Sequence, residues 1–245
     1  RSAPKAAAKV FASAAPRLGK YQLPFDWREK KYPGPWSTVA EYRERFEQAR
    51  PAVNAVMLIG HNNLRASVAG YEGRTLDPSE IDVMKERLIQ ALDEGGAGLS
   101  TGLVYPPGLF APPEEIIELA RVVAEHGKIY TSHMRSEGRK LLEAIDEALR
   151  IGRESGVRVE ISHLKTAGHP HWPLVDSALD RIRAARAAGL EVAADRYPYT
   201  ASSTELDIIL PGWAEEGGRE KVLARIRDPG TRARIRSELQ VTRDE

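Results

Sequence analysis

Two segments constrain this chain more than any others: Gly127-Lys-Ile-Tyr-Thr-Ser-His133 and Gly156-Val-Arg-Val-Glu-Ile-Ser-His163. Each opens on a glycine suited to stopping a helix, runs through a short β-prone stretch and ends in Ser-His. Between them lies a helical pattern carrying Leu141, Ile145, Ala148 and Leu149. Strand, crossover helix and strand make the two strands parallel. Neighbouring strands sit about 4.8 Å apart, so imidazoles at matching strand ends can reach one metal ion. A lone histidine there reads as an ordinary hydrogen-bonded residue. The matched pair favours a metal.

The same unit recurs. β-prone runs begin near residues 53, 97, 128, 157 and 190, with helical patterns between them. Asp77-Pro78-Ser79-Glu80 combines an N-cap residue, a first-turn proline and a glutamate at the third helical position. Gly95-Gly96, Gly127, Gly156 and Gly189 stop successive helices. This alternation predicts an α/β fold with a parallel sheet. Even spacing and short connections favour a (β/α)8 barrel of the TIM type over a doubly wound open sheet. A whole barrel takes about 250 residues, so the repeat is expected to supply an incomplete one, about strands 3–7.

The chain divides accordingly. Residues 1–36 read as a leader followed by an irregular loop of prolines and aromatics, and 37–200 as the barrel segment. Residues 201–245 hold two charged, helix-like stretches around Asp228-Pro229-Gly230, and read as a small helical, lid-like insertion. A net charge of +1 gives no reason to expect nucleic-acid or membrane partners. No apolar run approaches the roughly 20 residues that span a bilayer. Cysteine is absent, which removes disulfides and thiolate ligands. A cytoplasmic enzyme is the expectation.

Parallel barrels carry their active sites at the C-terminal ends of the strands. Those ends hold His61, Ser100-Thr101-Gly102 with Tyr105, His133, His163 with Lys165, and Asp195 with Tyr197 and Tyr199. Strict alternation puts His163 on the face of Val159 and Ile161, and a bulge would change that. His61 either bonds a loop carbonyl or joins the site. Asp195 is either a general base or the partner of a rim arginine. His126 sits at a helix C-terminus, where it favours the dipole. His169 and His171 fall in a solvent-facing loop. Gly95, Gly96, Gly98 and Gly102 are explained by helix stops and close packing rather than by a phosphate cradle.

Four stretches carry a resemblance: Gly98-Leu-Ser-Thr-Gly-Leu-Val-Tyr-Pro-Pro-Gly108, Ser132-His133-Met-Arg135, Ile161-Ser-His-Leu-Lys165 and Asp195-Arg-Tyr-Pro-Tyr-Thr200. With Gly60-His61 and Leu64-Arg65, they resemble the central part of the D-aminoacylase (N-acyl-D-amino-acid deacylase) branch of the amidohydrolase superfamily. The resemblance runs from about Tyr21 onward. It implies a zinc-dependent barrel hydrolase that cleaves the linear amide of a small N-acyl-D-amino acid. By that resemblance His133 and His163 match zinc ligands on the fifth and sixth strands, and Lys165 holds the substrate carboxylate. Tyr105 and Tyr197 or Tyr199 match pocket positions, with Ser202 or Ser203 beside them. Asp195 sits in the seventh-strand motif and is not the family's general base.

The family's His-x-His pair and cysteine ligand have no counterpart here, and its basic aspartate is expected beyond Glu245. The 245 residues alone are therefore expected to hold zinc weakly, through two imidazoles, and to supply no catalytic base. Two other readings compete. One is an amidohydrolase acting on cyclic amides, and the other a non-catalytic, degenerate paralogue or binding module.

Overall fold

The computed structural model describes residues 36–244 apart from 197, 198, 200 and 205, with side chains described up to residue 239. The expected leader and most of the aromatic loop, and Tyr197, fall outside these residues. The expected strands form one parallel sheet in the order β1-β2-β3-β4-β5. They are β1 Ile59–Gly60, β2 Gly98–Gly102, β3 Ile129–His133, β4 Arg158–Ile161 and β5 Val192–Ala194. Strand order equals chain order, as in a barrel wound one unit at a time.

Nine helices are described: α1 Val39–Gln48, α2 His61–Ala69, α3 Pro78–Asp93, α4 Pro113–Glu125, α5 Leu141–Ser155, α6 Leu174–Ala187, α7 Gly212–Glu215, α8 Arg219–Arg227 and α9 Pro229–Asp244. Their starts follow local chemistry. The Glu80 carboxylate accepts from the Asp77 N–H at 2.9 Å, which satisfies a donor the first turn of α3 cannot reach. Gly156 closes α5 at φ 75°, a left-handed position that a residue with a Cβ resists.

The core lies between sheet and helices. Leu99, Tyr130, Val159, Ile161 and Val192 project from the strands, each 3% exposed or less. Met84 and Leu88 of α3, Ile116 and Leu119 of α4, and Ile145 and Leu149 of α5 are buried on the same side. Each fully buried leucine or isoleucine contributes about 1.5–3 kcal/mol relative to exposure. None of the described helices is long and apolar enough to cross a membrane.

Strands are shorter than the residue pattern predicts, most of all the first and the fourth. The run from Val53 to Ile59 forms a strand only at its end, and Val53 and Val56 are exposed at 72% and 77%. Pairing to β2 is confined to Ile59 and Gly60. The fourth strand stops at Ile161 rather than reaching His163.

The chain after residue 205 folds back on the barrel segment. The Gly217 N–H donates to the Tyr71 carbonyl at 2.8 Å. Within this part Trp213 donates its indole N–H to Glu238 at 2.8 Å, and Arg234 lies 3.9 Å over the indole.

Candidate metal centre

The site is assembled at the C-terminal ends of β2, β3, β4 and β5 and in the loops beyond them. His133 is the last residue of β3, level with Gly102 of β2. Beyond β4 the chain makes a turn at Ser162-His163, with His163 at φ 42°. A non-glycine residue there costs on the order of 1–3 kcal/mol unless its surroundings enforce it. The end of β5 does so. The Asp195 carboxylate accepts from the His163 N–H at 2.6 Å, and the Leu164 N–H donates to the Asp195 carbonyl at 2.9 Å. Because His163 lies past the strand, the alternation of Val159 and Ile161 does not decide where its ring points. Asp195 acts here as a backbone acceptor that shapes this turn.

The turn brings the two imidazoles together, their ring centres 4.4 Å apart and nearly perpendicular at 75°. Glu137, in the loop after β3, reaches the same place. One ligand atom each from His133, Glu137 and His163 fall within 4.8 Å of one another. The Glu137 Oε1 lies 2.8 Å from His163 Nδ1 and also accepts from Lys165. Lys165 Nζ lies 2.9 Å from His163 Nδ1 and donates at 2.9 Å to the His163 carbonyl. Burial first, and the neighbouring His163 second, push the His133 imidazole down to about 4. It is therefore neutral at ordinary pH, with a lone pair free for a cation. Two imidazoles beside a carboxylate form a donor set that suits zinc.

Tyr105 packs beside the pair, its ring centre 5.2 Å from that of His133. Its hydroxyl shares a 2.9 Å hydrogen bond with Thr204. Two residues hold its loop from below. Asn62 donates to the Tyr105 carbonyl at 3.4 Å. Arg135 donates to the carbonyls of Leu109 and Ala111, both at 2.9 Å, and pairs with Glu147 at 2.8 Å.

The structure thus gathers His133, His163, Lys165, Tyr105 and Asp195 of the residues singled out in the sequence. Tyr199, Ser202 and Ser203 lie on the exposed stretch leading to Thr204. His61 belongs elsewhere. It is fully buried, with Nε2 2.8 Å from Glu115, whose other oxygen pairs with the buried Arg65. Burial alone would raise the Glu115 carboxyl, but His61 and Arg65 outweigh it and hold the group below the usual range. The loop-carbonyl partner expected for His61 is replaced by this carboxylate, which ties α2 to α4. His126 bonds the Val122 carbonyl at 2.7 Å in the last turn of α4. His171 bonds the Ala167 carbonyl at 2.7 Å, and His169 packs on Trp172. Sequence reasoning missed Glu137 and Thr204. The signal for Glu137 was an acid four residues past His133, and loop positions carry no periodicity to mark it.

No family model matches the chain. A D-aminoacylase from Alcaligenes xylosoxydans xylosoxydans is 42% identical over 167 residues, 68% of this chain and 34% of that protein. An N-acyl-D-glutamate deacylase from the same organism is 39% identical over 181 residues, 74% of this chain and 36% of that protein. Among solved structures, the N-acyl-D-glutamate deacylase of Bordetella bronchiseptica, complexed with zinc and a phosphonate inhibitor, superposes with a TM-score of 0.66. That match is 34% identical and covers 76% of this chain and 37% of the other. The chain spans about a third of the length of the curated relatives it matches. The parallel sheet is accordingly part of a (β/α) barrel of the amidohydrolase kind. Likeness in sequence and in fold agree, and the chain belongs to the D-aminoacylase (N-acyl-D-amino-acid deacylase) branch of the amidohydrolases.

Proposed function

We propose that the protein serves a zinc-dependent hydrolase that cleaves the linear amide of N-acyl-D-amino acids to a carboxylate and a free D-amino acid. The observation that carries this reading is the meeting of His133 and His163 at the strand ends, with Lys165 beside them. His133 and His163 would hold the zinc. When bound, the ion supplies Lewis acidity toward the acyl carbonyl and lowers the pKa of a bound water toward about 7.

The remaining roles fall to this chain's own groups. Lys165 offers a compact positive charge for the substrate carboxylate. Tyr105 walls the pocket next to His133, and its hydroxyl ties that wall to Thr204. Tyr197, Tyr199, Ser202 and Ser203 are proposed to line the substrate side, and residues 201–245 to act as a lid that excludes water. Asp195 holds the His163 turn instead of moving a proton. The general base is assigned to an aspartate outside these residues. A small-molecule substrate and a cytoplasmic setting complete the proposal, with no nucleic-acid or membrane partner.

The test is zinc content after dialysis, together with amino-acid release from N-acetyl-D- and N-acetyl-L-amino acids by the full-length gene product. D-selective release is expected. His133→Ala or His163→Ala should lower zinc affinity by more than the roughly 10–100-fold that supporting residues cost. Cleavage of cyclic amides alone, or no cleavage with zinc present, would overturn the reading.

A further inference from the structure

We infer that Glu137 is a positioning residue that selects the tautomer of His163 and so decides which of its nitrogens faces the cation. The inference rests on the proposed zinc site but not on the proposed substrate. A neutral imidazole carries one proton, and only its bare nitrogen can bind a metal. Two groups compete for the Nδ1 atom of His163. Glu137 Oε1 lies 2.8 Å away and can only accept from it. Lys165 Nζ lies 2.9 Å away and can only donate to it. These contacts demand opposite tautomers. With Lys165 donating, Nδ1 is bare, Nε2 carries the proton, and the outer nitrogen is blocked. With Glu137 accepting, the proton sits on Nδ1 and Nε2 is bare.

The surroundings favour the second arrangement. Lys165 has two other acceptors in reach, the Glu137 carboxylate and the His163 carbonyl at 2.9 Å, so it loses little by releasing Nδ1. Glu137 cannot donate while ionised, so its contact with the ring requires the proton on Nδ1. Lys165 also pins the carboxylate in place, because the same Oε1 accepts from both partners. Glu137 is 16% exposed at its side chain, so water competes weakly for it. A carboxylate behind a metal-binding histidine fixes ring orientation and raises ligand basicity. One carboxylate thereby serves two neighbours, His163 on the metal side and Lys165 on the proposed substrate side.

The experiment uses the full chain with zinc alone as the probe. Long-range proton–nitrogen correlation spectra of the zinc-loaded protein report which nitrogen of His163 carries hydrogen, and competition with a chromophoric chelator reports affinity. The expected result is a protonated Nδ1 and a metal-bound Nε2. Glu137→Gln keeps an acceptor of the same shape without the charge, and should weaken zinc binding about 10-fold. Glu137→Ala removes the acceptor and should weaken it toward about 100-fold. If Glu137→Ala fails to fold, Glu137→Gln with an unchanged melting curve carries the test. Zinc on Nδ1 of His163, or wild-type affinity in a folded Glu137 variant, would overturn the inference. Failure of N-acyl-D-amino-acid hydrolysis would leave both readouts unaffected and would count against the proposed function alone.

Discussion

At the scale of single residues, the chain keeps two charged clusters apart and uses them differently. The half-buried cluster of His133, Glu137, His163 and Lys165 brings three candidate ligand atoms within 4.8 Å of one another, beside an ammonium group. The fully buried cluster of His61, Arg65 and Glu115 holds two helices together, and Arg65 also donates to the Arg74 carbonyl. Removing one partner of such a pair leaves an uncompensated charge, at a cost of about 3–5 kcal/mol. Glu115→Ala should therefore lower unfolding free energy by about that amount in urea titration, with the midpoint moving and the slope unchanged. A loss below about 1 kcal/mol would mean that water reaches Arg65 once the carboxylate is gone. These two fates also mark the reach of the sequence. His133 and His163 were legible because a β-prone run closing in Ser-His occurs twice in the chain. His61 also follows a strand, yet its ring is buried against Glu115, a partner 54 residues away that no local pattern reveals.

At the scale of elements, glycine does two separable jobs. At Gly156 an added Cβ would meet nothing within 4 Å, so the cost of a side chain is the left-handed backbone alone. At Gly98, on β2, an added Cβ would collide with the Ile129 carbonyl and so with the strand pairing itself. Gly156→Ala should cost about 1 kcal/mol, and Gly98→Ala several times more, both read from chemical denaturation. Similar losses at the two positions would show that β2 and β3 can part without consequence. The helices were largely readable, since caps and glycine stops are local chemistry. Strand lengths were not. Val53 and Val56 satisfy every propensity for a β-strand, but β1 pairs only through Ile59 and Gly60. Apolar pattern predicts a strand only where a neighbour supplies the ladder.

At the scale of the whole molecule, stability and pH are linked through the C-terminal helices. Burial, with Asp207 as the smaller cause, raises the Glu215 carboxyl to about 7. Between about 4.5 and 7 the folded chain then keeps a proton that the unfolded chain has released. Its contribution is fully present below the unfolded value and lost as pH rises through the folded one. Glu215→Gln should flatten this decline and raise stability at pH 8 by on the order of 1–2 kcal/mol, measured by melting from about pH 4 to 8. An unchanged pH profile would place that carboxyl in contact with solvent. The parallel order of the sheet was legible from the repeat alone. How the chain from Thr204 onward lies against it was not, because the contacts with Tyr71 and Tyr105 are made by backbone groups and a pair of hydroxyls.

The strand order has a consequence for how the protein is made. Each strand pairs with the one the ribosome delivered about 30–40 residues before it, so the sheet can extend in the order of synthesis. The metal-binding pair is completed late in that sequence, since the turn at His163 needs Asp195 from the end of the fifth strand. A nascent chain released from the exit tunnel only a few residues past β4 would carry both histidines without the brace that sets the second. Metal capture would then follow assembly of the sheet rather than guide it.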